Sequence, residues 1–126
     1  MDGFSIYFLR NTSLAELASI GDLLGALVAN QAPDKVAMMR GDGKIWLYLW
    51  NAEELADSRA VNDGGLRKPG IIDPTSAVEV IVGRSDASVP LALELAWRVS
   101  TMLGGEISWD GMSEWEAQYL ALLAFR

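Results

Sequence analysis

The chain contains no cysteine and no histidine. The first absence excludes disulfides, thiolate metal sites and cysteine nucleophiles. The second removes the commonest general base and the commonest zinc ligand, and with them any Ser-His or Cys-His relay. Basic residues are few: 10 Lys and Arg stand against 17 Asp and Glu, a formal net charge of −7. Such a chain is repelled by phosphate, so neither nucleic acid nor an anionic membrane is expected as a partner. A basic protein would be attracted, most strongly at low salt. Apolar runs are short, and none reaches the roughly 18 residues that mark a membrane-spanning helix. The opening MDGFSIYFLR has no basic segment leading into a long apolar one. No signal peptide is expected, and a cytoplasmic chain is. Internal repeats and low-complexity segments are missing too.

Apolar and aromatic residues are plentiful. Of 126 residues 51% are hydrophobic, which suits one domain over 1–126 with a substantial core. Five Trp in so short a chain is many, and some must lie at or near the surface.

Periodicity divides the chain into elements. FSIYFL at 4–9 reads as a strand. Ser13 and Glu16 form a capping box, and Leu17, Ile20, Leu24, Leu27 and Val28 keep helical spacing, so a helix is expected up to Asn30–Pro33. Gly21 and Gly25, one turn apart, would admit a close backbone. KVAMMRGDGKIWLYLWN reads as a hairpin turning at Asp42-Gly43. Its second arm sends Ile45, Leu47 and Leu49 to one face and Trp46, Tyr48 and Trp50 to the other, which marks a central strand. Residues 52–76, rich in Gly and Pro, read as a long loop with one helical turn at Glu53–Asp57. SAVEVIVGR at 76–84 alternates as a strand. A helix capped by Ser88 follows, with Pro90 in its first turn and a stripe of Ala92, Leu95, Ala96, Val99, Met102 and Leu103. Gly104-Gly105 stops it. Glu106 to Asp110 reads as a short strand with Ile107 and Trp109 in the core, and Asp110-Gly111 as a turn. A second capping box, Ser113 with Glu116, opens a last helix that carries Trp115, Tyr119, Leu122 and Leu123 on one side. The order predicts an α+β fold: an antiparallel or mixed sheet of about five strands, helices packed mainly on one face, and one crossover at 77–110.

No motif specifies a catalyst. GDGK at 41–44 lacks the glycine spacing and the hydroxyl residue of a phosphate loop. DPTS and NDGG lack the ligand offsets of a calcium loop. Carboxylates cluster at Glu53/Glu54/Asp57, Asp63/Asp73 and Asp110/Glu114/Glu116. Such pairs can serve acid–base chemistry or hold magnesium with water, but no spacing singles one out, and solvated charge accounts for them. No catalytic residue, metal or cofactor is expected. Glu79 is more informative, because it interrupts an apolar strand on the face opposite Val78, Val80 and Val82. Either it shares an open sheet face with Trp46, Tyr48 and Trp50, or a helix covers those aromatics and Glu79 is an ordinary outward residue.

The aromatic strand KIWLYLWN and the unit VEVIVGRSDASVPLALELAWRVSTMLGGEISWDG resemble, in architecture, the small immunity proteins of bacterial polymorphic-toxin and contact-dependent or type VI secretion systems. The resemblance covers about half the chain and carries no binding residue over. It implies a stoichiometric inhibitor that binds a cognate toxin domain and blocks its active site. Read with the charge balance, it directs attention to acidic and aromatic groups around the long loop and the open face: Asp57, Asp63, Asp73, Glu79, Trp46, Trp50, Asp110 and Glu114. Carboxylates would enter a basic cleft in the toxin, and indole rings would supply buried area. Two alternatives stay open: a non-catalytic adaptor module, and a small carboxylate-based enzyme or ligand-binding domain.

Overall fold

A computed structural model of the chain describes residues 2–55 and 74–125. Six strands form one sheet: β1 (Gly3–Phe8), β2 (Leu27–Ala32), β3 (Lys35–Arg40), β4 (Gly43–Trp50), β5 (Ser76–Val82) and β6 (Glu106–Ser108). Among the described residues three full helices lie between or after them: α1 (Leu14–Leu23), α2 (Ser88–Leu103) and α3 (Ser113–Ala124). A further helical turn opens at Ala52, where Asn51 and Glu54 cap each other reciprocally. The strand order is β2-β3-β4-β5-β1-β6, and every neighbouring pair is antiparallel. The α+β prediction therefore holds, with six strands where about five were expected.

The additional strand is β2. Helical spacing placed Leu27 and Val28 on α1, but the helix stops at Leu23. Gly25 takes φ +74. Its N–H donates to Asp22 O at 3.0 Å, and Ala26 N–H donates to Gly21 O at 3.0 Å. This double bond pattern is a Schellman stop, which needs a left-handed residue and so favours glycine. Beyond it the chain reverses and pairs with β3 from Leu27↔Met39 onward. Three apolar residues at helical spacing were too weak a signal against that partner. Among the described residues no backbone makes the close approach expected at Gly21 and Gly25: a Cβ on Gly21 would sit 2.9 Å from the Met38 and Val28 side chains, and one on Gly25 would meet nothing within 4 Å.

Alternation in the strands sorts the sheet into two faces. Phe4, Ile6 and Phe8 of β1 stand in register with Val80, Val78 and Ser76 of β5. Val80 and Val82 stand against Leu47 and Ile45 of β4, which in turn oppose Val36 and Met38 of β3. These apolar side chains are fully or almost fully buried, and α1, α2 and α3 pack on their side. Each large side chain removed from water there contributes roughly 1.5–3 kcal/mol before conformational entropy is charged against it. β5 and β6 both run antiparallel to β1, which lies between them, so they are parallel to each other and α2 spans the crossover.

Local details depart from the sequence reading at the helix starts. The hairpin turn is Gly41-Asp42, flanked by Arg40↔Gly43. Gly41 has φ +59 and Asp42 a negative φ, so the left-handed residue is the first of the two. Gly43 instead lies under the start of α2, where a Cβ would meet Ala87 O at 2.5 Å. Ser88 does not cap α2; the N-cap is Ala87, and the buried Ser88 Oγ accepts from Lys44 N–H at 2.9 Å. Ser113 makes no capping bond either, because α3 begins one residue earlier than its box requires, with Met112 at the N-cap. The Ser13–Glu16 box on α1 is present as predicted.

Gly104, at φ +74, ends α2 as expected. Trp109 leaves β6 and packs its ring 4.9 Å from Phe4 and 5.1 Å from Tyr119, with Trp115 edge-on to Phe4 at 6.2 Å. That aromatic group ties α3 to β1. Met102 and Leu123, placed on apolar helical stripes by spacing, are exposed instead. Arg40 joins three elements: it donates to Leu24 O at the end of α1 at 3.1 Å and pairs with Glu94 of α2. Among the described residues no helix is long and apolar enough to cross a membrane.

Candidate functional site

With α1, α2 and α3 on one face, the alternation of the strands places a distinct set of side chains on the other. Register defines three rows across it. Trp46 stands between Ala37 and Ile81. Tyr48 stands between Lys35 and Glu79, and Glu79 opposes Ser5, which opposes Ser108. Trp50 opposes Ala77, which opposes Tyr7. Trp46, Tyr48, Trp50, Tyr7 and Glu79 therefore share the face opposite α1, α2 and α3, each half-buried among its neighbours. Register thus puts Glu79 on the same face as Trp46, Tyr48 and Trp50, and among the described residues α1, α2 and α3 lie on the other.

Charge is divided across this face. Lys44 Nζ lies 4.9 Å from the Trp46 ring centre, and Lys35 Nζ lies 4.9 Å from that of Tyr48. Lys44 and Trp46 are two apart on one strand, while Lys35 and Tyr48 are direct cross-strand partners, so period 2 and register bring each cation over its ring. The opposite end, toward β1 and β6, is acidic, with Glu79, the exposed Glu106 and the exposed Asp110. Asp110 holds φ 52 in the turn after β6 and accepts from Ser108 Oγ at 3.2 Å. Burial raises the Glu79 pKa above its ordinary value, and the nearby charge of Asp110 raises it further. A carboxylate in that position gains from an incoming cation, which offsets both effects.

The structure thus brings together four of the residues singled out from sequence: Trp46, Trp50, Glu79 and, at the border, Asp110. Glu114 is exposed in the first turn of α3 and belongs to the helical layer on the opposite side of the sheet. Asp57, Asp63 and Asp73 lie outside the described residues. Sequence reasoning missed Tyr7 and the two stacked lysines. Tyr7 was legible in FSIYF, where Phe4, Ile6 and Phe8 alternate against Ser5 and Tyr7. So was Lys44, two residues before Trp46 on one strand, whereas Lys35 was not, because it meets Tyr48 only through the β3–β4 register.

Chemically the face offers ring surfaces, two cations and a half-buried carboxylate. Among the described residues no three His, Cys, Asp or Glu side chains converge so as to hold a metal ion. In comparisons with known proteins, the chain matches no family model, no curated protein and no solved structure.

Proposed function

We propose that the chain is a binding protein that works through the sheet face opposite α1, α2 and α3, and that it serves as an immunity protein, occupying and neutralising a cognate toxin domain. The observation that carries the binding reading is the aromatic set Trp46, Tyr48, Trp50 and Tyr7 on the sheet face opposite the helices. Trp and Tyr dominate interface hot spots because they bury large rigid areas at low entropic cost. Glu79 and Asp110 supply negative charge beside that set and favour a basic group on the partner. The net charge of −7 acts in the same direction at longer range. The immunity role itself rests on the architectural resemblance and on the chain's lack of histidine and cysteine machinery.

The test is co-expression with the C-terminal domain of a large secreted protein encoded beside this chain. The chain should rescue cells from that domain and bind it in a stable complex. The double variant Trp46→Ala/Trp50→Ala should weaken binding by at least about 30-fold, as expected for hot-spot truncation of about 2 kcal/mol or more. Rescue unchanged by this variant would show that the face is not the contact. An adaptor module would use the same face and is favoured by the same aromatic set. It differs in that deleting the gene exposes no lethal neighbour.

A further inference from the structure

We propose that β2 is the seam of a symmetric dimer, pairing antiparallel with the β2 strand of a second copy so that two sheets become one. Among the described residues the sheet has two edges, β2 and β6. β6 spans only Glu106–Ser108, opens with an exposed glutamate and is followed by the exposed Asp110. Shortness and charge are the common means of keeping an edge from pairing. β2 has neither protection. It spans Leu27–Ala32, and its sequence LVANQA holds no charged residue and no proline. It lies within residues 23–33, the longest stretch of the chain without a charge. Leu27 at its start is 73% exposed, and Leu23 at the end of α1 is 61% exposed.

These features select a second copy rather than a foreign strand. A chain of net charge −7 repels itself over most of its surface. The neutral edge lets two copies approach with no like charges meeting at the contact, and it offers a charged partner nothing to select. Antiparallel self-pairing sets one residue opposite its own copy on a two-fold axis and closes at two subunits, because each edge is then used up. Pairing with β3 is regular over Leu27–Asn30 and shifts between Asn30 and Ala32. The regular part is centred on Val28 and Ala29, so the axis belongs there. A two-fold normal to the sheet keeps both layers of α1, α2 and α3 on one side and joins the two opposite faces into one surface. A seam of this length, about 20 Å, with two leucines from each copy lies at the small end of stable interfaces, so association in the micromolar range is expected. The seam stands whatever occupies the face opposite α1, α2 and α3.

Sedimentation velocity on the full chain from low micromolar to millimolar should show the mass rising toward twice 13.7 kDa. Leu27→Lys, at an exposed position, sets like charges beside the axis and should raise the dissociation constant at least about tenfold. Because the chain has no cysteine, single-cysteine variants report register directly. Val28→Cys or Ala29→Cys should oxidise to a cross-linked dimer, since residues facing their own copy across an antiparallel seam lie within disulfide range. Leu120→Cys, at an exposed position on α3, should not. A chain that stays monomeric throughout overturns the proposal. So does a dimer indifferent to Leu27→Lys, or one cross-linked through residue 120 and through neither 28 nor 29.

Discussion

Replacing Ser88 by alanine tests how α2 is fixed to the sheet. Ser88 is 0% exposed, and its Oγ accepts from Lys44 N–H at 2.9 Å. The carbonyl of the same residue, Lys44, accepts from Gly83 N–H at 2.8 Å, so both polar backbone groups of Lys44 depend on this junction. The surroundings are tight: a Cβ on Gly43 would lie 2.5 Å from Ala87 O, and one on Gly83 would lie 3.0 Å from Ser88 Oγ. Removing one oxygen leaves a space smaller than a water molecule needs, so the Lys44 N–H stays buried without a partner. The expected cost is that of an unsatisfied buried amide, about 1–3 kcal/mol. Urea unfolding followed by tryptophan fluorescence reads it out. With a slope of about 1.5–2 kcal/mol/M for a chain of this size, the midpoint should fall by about 0.5–2 M with the slope unchanged. Ser85→Ala is the matched control, because Ser85 Oγ accepts only from the exposed Ala87 N–H at 3.3 Å. Its cost should stay within about 0.5 kcal/mol. If Ser88→Ala were as mild as Ser85→Ala, the hydroxyl would not be the tie between α2 and β4 and the reasoning would fail.

Two further predictions concern β5 and the β1–β6 junction. Burial, and then the charge of Asp110, hold the Glu79 carboxyl above its ordinary range in the folded chain, so the unfolded chain releases this proton first, and stability falls as pH rises through the folded value. Glu79→Gln removes that loss: thermal melts should show the variant gaining on wild type as pH rises from below the ordinary carboxylate range to neutral. An identical pH dependence of the two melts would show that the carboxylate is not held in a partly desolvated site. Gly105→Ala adds a Cβ 2.4 Å from Ile6 Cγ2 and 2.6 Å from Phe8 Cε1. Overpacking of that kind costs about 1–3 kcal/mol, and calorimetry should show the melting point lowered by several degrees. An unchanged melting point would mean that β1 yields without strain.

The candidate face was partly legible because period 2 is a strong local signal. KIWLYLW declares that its aromatics share one side, whatever the fold around them. Which side of the sheet the helices would cover is not local information. It follows from α1, α2 and α3 all burying their apolar stripes against Phe4, Ile6, Val78, Val80 and Leu47 rather than against Tyr48 and Trp50. The acidic emphasis of the sequence reading was incomplete for the same reason. Lys35 and Lys44 are ordinary lysines in the sequence, and only the register places one over Tyr48 while strand alternation places the other over Trp46.

By itself the sequence determined the absence of thiol and imidazole chemistry, the sign of the net charge, the α+β class, the capping box at Ser13 and the glycine stop at Gly104. All of these depend on residue type or on spacing within one or two turns. Tertiary structure alone decided that residues 27–32 form an edge strand, that Ser88 and Ser113 do not cap their helices, and that the aromatics of β4 lie opposite the helical layer. Each of these outcomes depends on a backbone partner or a packing neighbour distant in the chain. Local preferences of a few tenths of a kcal/mol per residue yield to a strand that pairs and a side chain that is buried.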